Sequence, residues 1–186
     1  MNRIYFRNVT ENDVTDAYYN WMNDPEVNQY LEARFRYNTK EDIADFIYET
    51  NLEPDTIFYA ICLKKNDVHI GNIKLWRINQ IHKFAEVSIL IGLKQYWGKG
   101  YATEAIKLLC EYAFKVMRLN KLTAECYALN KGSYHAFTKA GFKIEGKYRL
   151  QYKCKDRYID SYLLGFLQSE YNQRGRSKIS NIRVML

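Results

Sequence analysis

Hydrophobic and polar positions alternate along seven short stretches of the chain, a pattern that favours β-strands. The residues within them are mostly aromatic, branched or aliphatic, and polar turn residues separate them. Between residues 63 and 69, Lys65, Asn66 and Asp67 indicate a tight turn and therefore a hairpin. The predicted strands are 4–9, 57–63, 69–76, 85–91, 121–127, 143–150 and 157–166.

Four other stretches place apolar residues three and four positions apart, which predicts amphipathic helices. The first runs from a cap at Thr10 to Met22, with Val14, Ala17, Tyr18 and Trp21 on its apolar face and Pro25 closing the region. The second begins at Thr39 and ends before Pro54. The others are 101–117 and 131–140, the last between an Asn130 cap and Gly141. The element order is βααβββαβαββ.

Composition and length favour one compact domain. The chain has 186 residues, of which 47% are hydrophobic, and it contains only two prolines. Neither a signal-peptide pattern nor an apolar run of membrane-spanning length is present, so we expect a cytoplasmic protein without a membrane partner. We expect residues 1–168 to form the domain and 169–186 a basic tail, either flexible or an arm that touches a partner.

The net charge of +7 arises from lysines and arginines scattered singly along the chain. This spacing is typical of a solvated surface, so a nucleic-acid partner is the minor interpretation. The charge still favours polyanionic ligands such as a nucleotide-like cofactor. The cysteines are Cys62, Cys110, Cys126 and Cys154; with the three histidines they show no metal-ligand spacing, and we expect buried thiols and no metal. A covalent acetyl-cysteine is the alternative.

Gln95 to Ala102 is a glycine-bearing turn between an apolar strand and the start of a helix. Free N–H groups and positive potential at a helix start, with glycines that allow close approach, suit a pyrophosphate. The turn is not a Walker loop, because Tyr101 follows Gly100 where that motif needs Lys-Ser/Thr after a glycine. Nor is it a Rossmann fingerprint, because Thr103 stands where a third glycine is needed. Plain turn chemistry is the alternative.

Gln95, Gly98 and Gly100 fit the pattern Gln/Arg-x-x-Gly-x-Gly/Ala, so the sequence resembles the GNAT superfamily of acetyl-CoA-dependent N-acetyltransferases. Asn130, Ser133 and the pair Gly141-Phe142 match the second half of that family. The segments 21–27 and 145–162 resemble its Rim-type branch, whose best-known members acetylate the N-termini of ribosomal proteins. The resemblance covers about residues 3–167.

The resemblance implies an α+β GNAT fold: a mixed, mostly antiparallel seven-stranded sheet, flanked by about four helices, with strands four and five splayed to admit the pantetheine arm. It implies acetyl-CoA as acyl donor, with no metal. Ser88, Ile89 and Leu90 would supply backbone partners to pantetheine, and Asn130 would bond it or simply cap its helix. The loop residues implied for the pyrophosphate are Gln95, Tyr96, Trp97, Gly98, Lys99, Gly100 and Tyr101.

An amine acceptor must lose a proton before it attacks the thioester, so a base or a water chain is needed. Glu125 is five residues before Asn130, where Rim-type enzymes of the alanine-terminus class carry a base, and Glu86 lies within an apolar strand. Either could instead be a salt-bridged strand residue. Phe137 occupies the position where the family often has a tyrosine that serves as the proton donor. Ser133 matches a serine of Rim-type members. The alternatives are that Ser133 is a simple first-turn helix residue and that the thiolate leaves without a protein acid.

Three hypotheses cover the acceptor. The first is a small primary amine, with a nucleotide-linked amino sugar as best candidate, because residues 21–35 look like GNAT proteins of surface-polysaccharide synthesis; Arg34 and Arg36 would then meet a phosphate. The second is protein N-terminal acetylation, which needs a groove between residues 23–36 and the last two strands. The third is a non-catalytic acetyl-CoA-binding module. A homodimer through the C-terminal strands is plausible from the resemblance.

Overall fold

The computed structural model describes residues 2–174 and contains seven strands and six α-helices in that range. The strands are β1 Ile4–Asn8, β2 Ile57–Leu63, β3 His69–Asn79, β4 Phe84–Ile91, β5 Lys121–Tyr127, β6 Lys143–Cys154 and β7 Arg157–Leu167. The helices are α1 Asp16–Asn23, α2 Pro25–Asn28, α3 Lys40–Leu52, α4 Tyr101–Lys115, α5 Lys131–Ala140 and α6 Gln168–Arg174. None of these helices is long and apolar enough to cross a membrane.

All seven strands form one sheet in the order β1-β2-β3-β4-β5-β7-β6. Each neighbouring pair is antiparallel except β4 and β5, which run parallel. A parallel pair needs a crossover, and α4 supplies it between these two strands. The mixed, mostly antiparallel sheet predicted from the sequence is therefore confirmed.

Strands β4 and β5 pair only at their N-terminal ends. Their register comprises Phe84 with Lys121, Ala85 with Leu122 and Glu86 with Thr123. After these pairs β4 continues against β3 alone and β5 against β7 alone. The predicted splay of strands four and five is confirmed, and it begins directly after Glu86.

The sheet is covered on both faces, because alternate residues of its strands belong to two separate apolar cores. One face packs against α4 and α5; we call it the α4 face, and its core includes Ile73, Val87, Leu109, Leu122 and Phe137. The other face packs against α1, α2 and α3; we call it the α1 face, and its core includes Tyr18, Trp21, Ile47, Phe58 and Cys62. Each face buries its own set because successive side chains of a strand point in opposite directions.

The region predicted as one helix from Thr10 to Met22 differs in the structure. A 3₁₀ turn at Glu11–Asp13 comes first, in which Asp13 accepts from the Thr10 backbone N–H at 2.8 Å. The α-helix α1 begins only after Thr15, whose hydroxyl accepts from Tyr18 N at 3.3 Å. Two threonines thus compete as caps, and the later one starts the helix. Ala17, predicted on the apolar face, is exposed.

Three further boundaries differ from the sequence prediction. Strands β3 and β6 are longer than predicted and end at Asn79 and Cys154, and each contains a register shift. Pro25 starts the short helix α2 instead of simply closing α1, because a proline suits the first helical turn. Beside the four predicted helices the structure has two short ones, α2 and α6, both of which are seven residues or shorter.

Helix α6 lies within the segment predicted as a tail. Its Tyr171 packs against Phe114 of α4, with ring centroids 5.3 Å apart, and against Phe166 of β7. Residues 168–174 therefore extend the folded domain beyond 168. The remainder of the predicted basic tail, 175–186, lies outside the described residues, so the interpretation as a tail or arm stays a prediction there.

Candidate active site

The turn between β4 and α4 has an open backbone conformation suited to an anion. Gly98 and Gly100 adopt left-handed φ angles of 70° and 82°, which side chains rarely tolerate. A Cβ on Gly98 would have nothing within 4 Å, so this backbone borders open space. Helix α4 begins at Tyr101 with Gly100 as its N-cap, and no side chain caps it. The first N–H groups of a 15-residue helix are thus available to a phosphate.

Side-chain contacts link this turn to the end of β4, to the corner between α1 and α2 and to the start of α4. Trp97 donates its indole N–H to the Ile91 carbonyl at the end of β4, at 2.7 Å. Lys94 forms ion pairs with Asp24 and Glu26 at the α1–α2 corner, at 2.8 and 2.5 Å. The corner that carries these carboxylates lies on the α1 face, so the turn is tied to the helices of that face. Gln95 and Lys99 are exposed on the turn, and Tyr96 packs edge-on against Tyr101.

The predicted pantetheine contacts line the cleft opened by the splay. Ser88, Ile89 and Leu90 follow the last β4–β5 pair, and their register partners are on β3 only. Their side toward β5 is therefore not engaged by that strand. Asn130 caps α5, with its Oδ1 accepting from Ser133 N at 3.0 Å, and its amide nitrogen has no hydrogen-bond partner among the described residues. Asn130 can therefore cap α5 through its oxygen and still offer its amide nitrogen to pantetheine.

Glu86 lies at the apex of the cleft on the α1 face. It pairs across the sheet with Trp76 and Thr123, and its carboxylate is 3.5 Å from the Arg77 guanidinium. Burial raises the pKa of Glu86 above its usual range, the Arg77 charge opposes this, and the Glu125 charge adds to it. A carboxylate with a raised pKa at a cleft is a candidate base.

Glu125 lies two residues after Thr123 on β5 and so shares the α1 face with Glu86. The Ser161 hydroxyl donates to its Oε1 at 2.5 Å, and Ser161 is fully buried on the neighbouring strand β7. The pKa of Tyr152 is raised by burial first and then by a hydrogen bond with Glu125. The structure thus brings together both carboxylates that the sequence analysis named as bases.

The position expected to supply a proton carries no hydroxyl. Phe137 is buried at 2% exposure and packs against Phe142, with ring centroids 5.0 Å apart. It is a core residue of the α4 face. Ser133 is half-buried in the first turn of α5, where its backbone N–H serves the Asn130 cap. Its hydroxyl has no hydrogen-bond partner among residues 2–174, so Ser133 stays a candidate.

Arg34 is engaged by the protein itself. Its guanidinium donates to the Leu31 carbonyl at 2.6 Å and to the Lys153 carbonyl at 2.9 Å, and it reaches the Tyr127 hydroxyl at 3.3 Å. That hydroxyl in turn donates to Glu32 at 2.5 Å. We call these contacts the Arg34 clasp; it joins the segment after α2 to β5 and to the β6–β7 end of the sheet. Arg36, by contrast, is exposed.

The cysteines do not have the environment of nucleophiles. Burial raises the pKa of Cys126 to about 11, and it raises the pKa of Cys62 and of Cys110 as well. A buried thiol of raised pKa holds little thiolate, so these residues do not suit an acetyl-cysteine. Cys154 is half-buried near the β6–β7 turn. Among residues 2–174 no group of three or more His, Cys, Asp and Glu could hold a metal ion.

Several residues of the site escaped the sequence analysis. Trp76 lies on the α1 face by the ordinary alternation of β3, opposite Glu86, and Arg77 stands at the bulge that follows, where its φ is 53°. Tyr127, Tyr152 and Ser161 surround Glu125 from β5, β6 and β7. The parity of β5 could have found Tyr127, because it shares a face with Glu125. Tyr152 and Ser161 could not be assigned to the site from the sequence, because their proximity to Glu125 depends on the order of the strands in the sheet, which no local pattern indicates.

A seven-stranded sheet with one splayed parallel pair, a phosphate-suited turn at the open end of the splay and two carboxylates near its closed end is the arrangement expected of an acyl-CoA-dependent acyltransferase. The family model described as an acetyltransferase (GNAT) domain matches residues 3–143. The chain therefore belongs to the GNAT family; it is an N-acetyltransferase that uses acetyl-CoA.

Relatives agree with this assignment. An uncharacterized N-acetyltransferase, p20 of Bacillus licheniformis, is 30% identical over 158 residues, which are 84% of this chain and 88% of the relative. The spermidine N(1)-acetyltransferase of Escherichia coli (strain K12) is 34% identical over 101 residues, 54% of each chain. A solved spermidine N-acetyltransferase from Vibrio cholerae, in complex with CoA and spermine, superposes with a TM-score of 0.81 at 23% identity, covering 92% of this chain and 99% of that one.

Proposed function

We propose that the protein transfers the acetyl group of acetyl-CoA directly to a primary amine of a small cationic molecule of the polyamine type. The observation that carries this proposal is the pair Glu86 and Glu125, which lie on one face at the apex of the β4–β5 cleft. We infer that acetyl-CoA lies in the cleft, with its pyrophosphate at residues 95–101 and its pantetheine beside Ser88, Ile89, Leu90 and Asn130. The acceptor then approaches from the α1 face.

Deprotonation of the acceptor is the task that the carboxylates can perform. An alkyl ammonium has a pKa near 10, so a base must remove its proton before nitrogen attacks. Burial raises the pKa of Glu86, so this carboxylate accepts a proton more readily than an exposed one. Glu125 supports the same role through its position and raises the pKa of Glu86 through its charge. Acetyl-CoA supplies the activated acyl group.

The proton donor to the leaving thiolate remains a second task. Phe137 cannot perform it, and burial raises the pKa of the Tyr127 phenol to about 12, with Glu32 adding to the shift. That phenol is too weak an acid and is already bonded to Glu32. A free thiol has a pKa of about 8.5, so the thiolate is a tolerable leaving group at neutral pH without a protein acid. Ser133, half-buried on the first turn of α5, is the remaining hydroxyl candidate.

Charge and aromatic surface support a cationic acceptor. Glu32, Glu86 and Glu125 supply three carboxylates around this end of the α1 face, and Tyr127 stacks against Tyr152 with ring centroids 4.6 Å apart. Carboxylates and aromatic faces are the groups that attract an ammonium. Arg34 forms an ion pair with Glu32 at 3.6 Å and offsets the charge of that carboxylate, so the attraction rests chiefly on Glu86 and Glu125.

A nucleotide-linked amino sugar is the second candidate, and cations on the same face favour it. Arg77 is two-thirds exposed beside Glu86, and Lys74 lies 5.0 Å from the Trp76 ring. These groups and the exposed Arg36 could meet a diphosphate. The support expected from Arg34 is weaker than the sequence suggested, because the clasp uses its guanidinium.

Protein N-termini of the Rim type have less support. That hypothesis needs a groove between residues 23–36 and the last two strands. The Arg34 clasp crosses this space by reaching the Lys153 carbonyl, and the Tyr30 hydroxyl bonds the Leu129 carbonyl at 3.2 Å. A peptide would have to displace both contacts. The non-catalytic alternative is set aside, because the chain is an acetyltransferase.

An acceptor panel tests the proposal. Release of CoA is followed with spermidine, spermine, N-terminal peptides and nucleotide-linked amino sugars, each at matched concentration. We expect turnover on the polyamines, with kcat/KM lower for the peptides and sugars. Turnover confined to amino sugars, with an acceptor KM that rises in Arg36→Ala and Arg77→Ala, would replace the first candidate with the second. Turnover confined to peptides would overturn both.

A further inference from the structure

We propose that Arg3 is a further cofactor-binding residue, which holds the β4–α4 turn in place and donates to the CoA pyrophosphate. This rests on the proposed assignment of residues 95–101 as the pyrophosphate site. Arg3 precedes β1, far from the turn in sequence, and it belongs to none of the motifs of that turn. The tertiary structure alone brings its guanidinium against the loop.

Four contacts fix Arg3 at the start of α4. Its backbone N–H donates to Glu104 Oε1 at 2.5 Å, and its Nε donates to Oε2 of the same carboxylate at 2.8 Å. Its Nη1 donates to the Lys99 carbonyl at 3.1 Å. The guanidinium lies over the Tyr101 ring, 4.1 Å from the centroid. One side chain thus joins the turn and the first turn of α4.

These contacts leave N–H groups of the Arg3 guanidinium free beside the β4–α4 turn. They use two of the five guanidinium N–H groups, one on Nε and one on Nη1. Neither hydrogen of Nη2 has a partner among residues 2–174, and a Cβ built on Gly100 would lie 3.6 Å from Nη2. The free end of the fork therefore lies beside the N-cap of α4. A planar fork with two free donors suits phosphate oxygens.

Local charge gives Arg3 a second effect. Glu104 lies in the first turn of α4, where its negative charge would repel a phosphate bound at the helix start. The ion pair with Arg3 neutralises it, and Arg3 remains 47% exposed while Glu104 is 17% exposed. Lys94, another cation beside the turn, is already paired with Asp24 and Glu26. Arg3 is therefore placed to act on the ligand.

Titration calorimetry on the full chain tests this with CoA and with dephospho-CoA, which keeps the pyrophosphate and lacks the 3′-phosphate. We expect Arg3→Ala to raise Kd for both ligands by the same factor, about tenfold, as loss of a charge-assisted hydrogen bond implies. Arg3→Lys should recover part of the loss, because it keeps the charge without the fork. Lys107→Ala, which removes an exposed cation of α4, is the matched control and should bind normally.

Repeating the measurement in a Glu104→Gln variant separates a direct contact of Arg3 with phosphate from its neutralisation of the Glu104 charge. If Arg3 contacts phosphate, Arg3→Ala still weakens binding when Glu104 is replaced by Gln. A loss that disappears in Glu104→Gln, or that affects CoA but not dephospho-CoA, overturns the proposal. Gly100→Ala, which strains the left-handed turn, tests the site itself. Unchanged Kd in Arg3→Ala with weaker binding in Gly100→Ala refutes only the role of Arg3, whereas unchanged Kd in both refutes the pyrophosphate site.

Discussion

Glu86 and Thr123 form the last register pair between β4 and β5, and the cleft begins directly above them. The Thr123 hydroxyl donates to the Ala85 carbonyl at 3.3 Å and so fastens the two strands at the same level. On one side of Glu86 the two strands are still hydrogen-bonded, and on the other side they have separated and the cleft begins. This explains how Glu86 can be half-buried and still be open to an acceptor amine.

The first prediction concerns the two carboxylates. Glu86→Gln and Glu125→Gln should each retain acetyl-CoA binding, and removal of the residue that acts as base should lower kcat by about 10²–10⁴-fold. If Glu86 is the base, Glu125→Gln should also move the acidic limb of kcat/KM to lower pH, because it removes a like charge that raises the pKa of Glu86. The measurement is a pH–rate profile for each variant. Unaltered profiles in both variants would exclude the two carboxylates as bases.

The Arg34 clasp should control acceptor binding. Arg34→Ala removes two hydrogen bonds to carbonyls and releases the segment that carries Glu32. We expect the acceptor KM to rise by about tenfold while the acetyl-CoA KM stays unchanged, because charged hydrogen bonds are lost only on the acceptor side. Initial-rate kinetics with each substrate varied separately give this comparison. Lys65→Ala, in the β2–β3 turn, serves as control. Parallel increases in both KM values would contradict a role confined to the acceptor, and a fall in kcat alone would indicate loss of folded enzyme.

Phe137 should behave as a core residue. Phe137→Tyr places a hydroxyl among Phe142 and the other apolar neighbours, which should cost about 1–3 kcal/mol of unfolding free energy if the hydroxyl stays unpaired. The same change should not raise kcat. Urea unfolding and turnover are measured together, with Phe137→Leu as an apolar comparison. A variant that is both faster and equally stable would show that the hydroxyl reaches the cleft.

Close packing between Trp21 and Gly92 allows a matched stability test. A Cβ on Gly92 would lie 2.0 Å from the Trp21 ring, so Gly92→Ala should destabilise the protein by about 1–3 kcal/mol. Gly132→Ala is the control: Gly132 lies in the first turn of α5, its Cβ would be 3.7 Å from the nearest atom, and alanine suits a helix better than glycine. Thermal unfolding compares the two, and equal midpoints would contradict the observed packing.

Stability should fall in mild acid because of His69. Burial lowers the pKa of His69 below its usual value of 6.5, although Asn72, Asp13 and the Gly71 carbonyl favour its charged form. The unfolded chain therefore binds a proton more readily, so stability present above pH 6.5 is lost as pH falls from there through the folded pKa. Unfolding free energies at pH 7.5, 6.5 and 5.5 should decline in the parent and less in His69→Gln. Equal slopes would show that His69 does not titrate in this window.

Asp13 affects the free energy of unfolding at lower pH than His69 does, so the contributions of the two residues can be measured separately. Although burial opposes it, the hydrogen bonds from Arg7 and Thr10 hold the pKa of Asp13 below its usual value of 3.8. A depressed carboxyl pKa adds stability above that value, and this stability is lost as pH falls through the folded pKa. The Arg7 charge also lowers the pKa of His69, and the Tyr18 and Trp21 rings pack edge-on against the imidazole. The measurements at pH 5.5 and above therefore report His69.

Much of the fold followed from local pattern. All seven strands, the long helices α3, α4 and α5 and the anion-suited turn at Gly98 and Gly100 were predicted, because alternation, helical periodicity and glycine are local signals. The first helix was placed wrongly because Thr10 and Thr15 are both good caps, and local chemistry does not choose between them. Short helices such as α2 gave too few turns to show a period.

The sequence by itself determined the order of the elements, the family resemblance and the two candidate carboxylates, since each depends on residues close together in the chain. Only the tertiary structure decided that Glu86 and Glu125 share a face, that Arg34 is engaged by Lys153 and Tyr127, and that Arg3 lies against Lys99. These contacts join residues that are distant along the chain. They depend on the sheet order and on the register shifts of β3 and β6, and those arise when the whole sheet packs between its two helical layers.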